Sequence, residues 1–134
     1  MAQASTKRGP ADGLPINRPA WLLRGEGAAL LALALILYRQ TGASWLLFAL
    51  VLFVPDLARL GYLAGPRLGA IAYNTLHTTI LPLLLLGWGG LDRSPPPLLA
   101  AVALVWLAHI GMDRALGYGL KYPHAFTATH LQRV

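Results

Sequence analysis

Two pairs of polar residues stand in otherwise apolar sequence at spacings that suit joint chemistry: Asn74 and His77 are three apart, and His109 and Asp113 are four apart. On an α-helix, residues so spaced project from one face and can act on a common partner. Asp56 follows Pro55 in another apolar stretch, and Glu26 opens a further one. Neutral imidazole and carboxylate are ligands for zinc or iron. Imidazole, with an ordinary pKa of about 6.5, also moves protons near neutral pH, and a carboxylate can carry charge or act as a base. The chain has no cysteine, which excludes disulfides, thiolate ligands and a cysteine nucleophile. Asp56, His77, His109 and Asp113 are therefore the candidate metal or proton site, with Glu26, Asn74 and His130 in support. The cofactor such a set would take is a divalent metal ion. There is no HExxH, no repeated ExxH and no tight histidine cluster, so the set rests on where the helices bring these residues.

Those helices must sit in lipid. Of 134 residues, 56% are hydrophobic and 12% charged, against roughly 25% charged in a soluble domain. Leucine and alanine dominate, which favours helix over an all-β barrel. The pattern predicts an all-α fold, a bundle of four transmembrane helices at about 21–38, 43–61, 68–88 and 98–114, with a hydrocarbon core of about 30 Å demanding ~20 helical residues each. Residues 1–20 form a polar, Pro- and Gly-rich tail and residues 118–134 an amphiphilic one. The first apolar run begins only at Trp21, too late and without the small-residue cleavage site of a signal peptide. Pro55 predicts a kink in the second helix, because it removes one backbone donor. Pro55 and Pro82 are the only hints of broken helices, no matching pair of breaks is expected, and four helices leave little room for alternating access.

The basic residues give the orientation. With four spans, Lys7, Arg8, Arg18, Arg24, Arg59, Arg67, Arg114, Lys121 and Arg133 fall on one side and only Arg39 and Arg93 on the other. The positive-inside rule then places both termini in the cytoplasm. Alternating helix direction puts Glu26, Asp56, Asn74, His77, His109 and Asp113 in a single cytoplasmic-side layer. Ionisable groups inside spans are expensive and usually face a bundle interior as sites for ions, protons or substrates. The bland alternative is that these groups only lock helices together, through interhelical hydrogen bonds of about 0.6 to 2 kcal/mol. Tyr62, Tyr73, Tyr118 and Tyr122 read as interface anchors. A net charge of +6 spread singly along the chain forms no basic stripe, so nucleic acid is excluded as a partner.

Pro55-Asp56, Gly61-Tyr62, Tyr73-Asn74 with His77, the run His109-Ile110-Gly111-Met112-Asp113-Arg114, Gly117-Tyr118-Gly119-Leu120-Lys121-Tyr122, and Phe126 with Thr129-His130-Leu131 together form a recognisable pattern. Over about residues 24–132 it resembles the domain-of-unknown-function 4260 family, with Gln132 a departure where that pattern has glycine. The resemblance implies a small bacterial integral membrane protein of the cytoplasmic (inner) membrane, and it supplies no reaction. Two functions follow. One is a metal- or proton-binding site, acting on a lipid-soluble substrate if the protein is a membrane enzyme. The other is an accessory or scaffolding subunit whose partners are the lipid bilayer and other membrane protein subunits.

Overall fold

The computed structural model describes residues 19–91, 93, 97–121 and 131. His130, Tyr122, Asp92 and most of both predicted tails lie outside the described residues. The elements are α1 (Pro19–Thr41), α2 (Trp45–Leu52), a 3-10 segment (Val54–Ala64), α3 (Pro66–His77), α4 (Ile80–Gly89) and α5 (Leu98–Leu116). They make four spans long and apolar enough to cross a membrane, Pro19–Thr41, Trp45–Ala64, Pro66–Gly89 and Leu98–Leu116. The chain is an all-α, multi-pass membrane protein. Exposed leucines such as Leu33, Leu50, Leu84 and Leu91 face outward, where lipid replaces water.

The last helix is the centre of the bundle. Its apolar window is 61% buried, against 11% for each of the first two spans. Helix α1 packs along it closely enough that two glycines meet. A Cβ on Gly111 would lie 2.7 Å from the Leu31 nitrogen, and one on Gly27 would lie 2.9 Å from the Gly111 oxygen. Without a hydrophobic drive between helices in lipid, such small-residue crossings supply the packing. Arg24 Nε donates to the Ala115 carbonyl at 2.9 Å, satisfying an acceptor in the last turn of α5. Gly117, at φ 96°, then ends the helix with Gly117 N–H on the Arg114 carbonyl and Tyr118 N–H on the Asp113 carbonyl. That is a Schellman cap, and it fixes the direction in which the chain leaves the helix beside Asp113.

The second and third spans are both interrupted, each at the proline that hints at a break. Pro55 has no N–H to donate back along α2, so the α-helix stops at Leu52 and the chain winds on as a 3-10 helix with Pro55 in its first turn. In that winding i and i+3 eclipse. Pro55, Ala58 and Gly61 therefore share one face, and Gly61 meets Gly69 and Ala72 of α3 across it. Asp56, Arg59 and Tyr62 share the next. Tyr62 lies on Gly69, where a Cβ would collide with its ring.

In the third span, Pro82 cannot donate to the Thr78 carbonyl, and Thr78 turns extended at φ −81°, ψ 145°. Helix α3 consequently ends at His77 and α4 begins at Ile80. The break frees the Leu76 carbonyl, and Trp106 of α5 fills it with an indole N–H bond of 2.6 Å. Backbone groups released inside a membrane need such a partner, since lipid offers none.

Candidate metal centre

Three of the four candidate ligands come from helix faces turned inward. In α3 the buried residues Gly69, Ala70, Tyr73 and His77 form one stripe. In α5, His109 and Asp113 are one turn apart in the most buried part of the helix. Asp56 comes from the 3-10 segment that packs on α3. One ligand atom from each of Asp56, His77, His109 and Asp113 lies within 4.8 Å of the others.

The distances within the group are unequal in an informative way. His77 Nε2 is 3.1 Å from His109 Nε2. Asp113 Oδ2 is 3.4 Å from the first and 3.6 Å from the second. A tetrahedral shell with arms of about 2.1 Å has ligand-to-ligand edges of roughly 3.4 Å, so these three atoms already form one face of it. Asp56 Oδ1 stands farther off, 3.9 Å from His77 and 3.8 Å from His109, and Arg59 lies 2.9 Å from that same oxygen. His109 is fully buried and His77 and Asp113 nearly so, whereas the Asp56 side chain is 25% exposed. The arrangement is a buried triad with a second carboxylate, Asp56, as the fourth member on its more open side.

The surroundings orient the triad. His77 Nδ1 lies 2.8 Å from the Tyr73 carbonyl, an acceptor only, so the ring proton sits on Nδ1 and Nε2 points its lone pair into the group. Metal-ligating histidines are usually held by such a bond from the other ring nitrogen. The Tyr73 ring stacks on the His77 ring at 3.7 Å, and its hydroxyl donates to Asp113 Oδ2 at 3.3 Å. Two buried atoms of the group, Asp56 Oδ1 and His109 Nδ1, make no hydrogen bond; Arg59 approaches the first at ion-pair distance without the geometry of a hydrogen bond. Buried polar atoms left in this condition cost free energy unless something else engages them.

The supporting residues separate. Asn74 receives the Lys121 backbone N–H at 2.7 Å and donates to the Lys121 carbonyl at 2.8 Å, so it fastens the segment after α5 against α3. Glu26 is on the exposed face of α1, because Gly27 is the residue that faces α5. His77 stands roughly 16 Å along the third span from Pro66 and His109 roughly 10 Å along the fourth from Leu116, so the group lies well inside both spans. Tyr73 is 1% exposed and touches two members of the group, which corrects its reading as an interface anchor. Its signal was the spacing of four before His77. Arg59 also touches the site through Asp56, and Trp106 adjoins it through the Leu76 carbonyl; the spacing of three from Asp56 to Arg59 is the signal for that ion pair. Outside the spans, Lys121 is nearly buried with Nζ 4.8 Å from the Tyr73 ring centre. Burial lowers its pKa from the ordinary value, with Arg59 acting in the same direction and Asp113 opposing.

The family described as Domain of unknown function (DUF4260) matches the chain over residues 20–134. No curated protein and no solved structure matches it.

Proposed function

Because the chain belongs to the DUF4260 family, whose description carries no reaction, we propose from its site that it is a membrane-embedded divalent-metal protein of zinc type. His77, His109 and Asp113 hold the ion, and Asp56 closes or opens the fourth position. The observation that carries this reading is the triangle of 3.1, 3.4 and 3.6 Å between their ligand atoms, drawn from two spans and buried. Its edges suit a single ion of that size. Two histidines and carboxylates also suit iron(II), so the metal's identity follows from supply as well as from geometry. When bound, such an ion polarises a substrate oxygen or lowers the pKa of a bound water. This chain's own contribution is to fix the His77 tautomer through the Tyr73 carbonyl, keep the triad dry, and hold Asp56 beside the fourth position through Arg59.

The bacterial cytoplasmic membrane, with both termini inside, is the location that fits the nine-to-two division of basic residues. The test of the function is elemental analysis of detergent-purified protein. Wild type retains about one metal per chain after dialysis, and His109→Ala and Asp113→Asn lose it, since second-sphere and ligand losses weaken sites by at least 10-fold. Retention that is equal in wild type and both variants refutes the reading.

One observation favours a second reading. The two Nε2 atoms lie 3.1 Å apart, and with the His77 proton on Nδ1 the bond between them needs the proton of His109. That is a site for a shared proton, without an ion. Metal-free wild type that keeps its fold, and whose function is unaffected by chelation, supports it.

A further inference from the structure

The centre lies between two openings of opposite character. On the side of the α5 C-terminus, a small pocket is lined by Tyr73, His77, Asp113, Arg114 and Tyr118, among others. On the other side is an apolar cavity of about 230 Å³, walled by Val51, Val54, Pro55, Leu76, Val102 and Trp106. Its walls come from the same three spans as the ligands. Pro55 and Leu76 each precede a ligand in sequence, and Trp106 comes one turn before His109. Val51, Val54 and Pro55 straddle the change from α2 to the 3-10 winding, and Leu76 stands just before the break after His77.

We propose that this cavity is a subsite for the hydrocarbon chain of an amphiphilic substrate whose polar group lies at the His77, His109 and Asp113 centre. The proposal rests on the metal-centre reading and names its substrate class. A chain lies deeper in a bilayer than its headgroup, and the cavity is on the hydrocarbon side of the centre, while the pocket with Arg114 is on the side of the helix end. The lining carries no polar side chain besides the Trp106 indole, and that N–H is already committed to the Leu76 carbonyl. A headgroup or a water therefore has nothing to bind there, whereas hydrocarbon does. The volume is many times the ~10–15 Å³ that a single water-sized group needs, so it has room for a stretch of chain. Arg59, 46% exposed and ion-paired to Asp56, favours an anionic or strongly polar head next to the fourth position.

The test uses the full chain in lipid nanodiscs with a diazirine-bearing palmitic acid, photolysed and mapped by peptide mass spectrometry. The expected result is labelling concentrated on Val51, Val54, Leu76, Val102 and Trp106, lost in Val102→Phe and in Val54→Phe, which fill the space from two different spans. Metal content is read on the same samples. Labelling spread evenly over outward residues such as Leu33, Leu50 and Leu84, with metal bound, overturns the chain subsite alone. Labelling confined to the cavity with no metal bound upholds the subsite and overturns the centre. Labelling that persists in both Phe variants places the chain elsewhere and overturns the proposal.

Discussion

Replacing Gly111 by alanine adds one methyl group where α1 and α5 cross. That Cβ would lie 2.7 Å from the Leu31 nitrogen, 2.8 Å from the Gly27 oxygen and 3.1 Å from the Leu31 Cα. All three are backbone atoms, so no side chain can turn aside. Bringing 2.7 Å out to the 3.4 Å of ordinary van der Waals contact requires about 0.7 Å of helix separation, and closely packed interiors resist displacements of that size. The expected cost is about 1–3 kcal/mol, the range for inserting a group into a packed core. Helix α1 carries none of the four ligands and is the less buried partner, so it is the element that lifts. Stability, followed by tryptophan fluorescence during denaturation in detergent micelles, therefore falls while metal retention stays near wild type. Gly87→Ala is the control, because nothing lies within 4 Å of its Cβ. There the helix propensity of alanine adds up to ~1 kcal/mol. Gly111→Ala as stable as Gly87→Ala would refute the close crossing, and loss of metal with little loss of stability would show that α1 positions the site.

Trp106→Phe leaves the Leu76 carbonyl without its indole partner inside the membrane and lowers stability by about 1–3 kcal/mol, measured in the same denaturation assay. Asn74→Ala removes both bonds to the Lys121 backbone. Hydrogen exchange should then quicken at Lys121 with little change in the core of α5. In metal-free protein the His109 proton is on Nε2, facing His77. Metal loading should move it to Nδ1, a change read from the imidazole ¹⁵N shifts, and an unchanged tautomer on loading would exclude His109 as an Nε2 ligand.

Much of this architecture could be read from residue order. Leucine-rich stretches of spanning length, separated by short Gly- and Pro-marked turns, dictate four spans, and the described spans overlap each predicted one. That Asp56, His77, His109 and Asp113 come near one another was also legible, because antiparallel spans with polar residues in corresponding halves bring them to related depths. What sequence could not supply was rotation and winding. Glu26 and Gly27 are neighbours, and only the crossing with Gly111 decides that the glycine faces inward and the carboxylate outward. A proline signals a kink, but whether it yields a bend or eleven residues of 3-10 helix depends on the packing of Pro55, Ala58 and Gly61 against α3. Tyr73 looked like an interface tyrosine because its type is common there. Its burial under Asp113 is a tertiary fact, although its helical spacing from His77 hinted at it.

The most direct measurement is zinc K-edge X-ray absorption on the metal-loaded full chain in detergent, beside the His109→Ala variant. The account predicts a shell of nitrogen and oxygen at about 2.0–2.2 Å with the outer scattering of two imidazoles, falling to one imidazole or to unbound zinc in the variant. A zinc shell without imidazole, or one unchanged by His109→Ala, would contradict it.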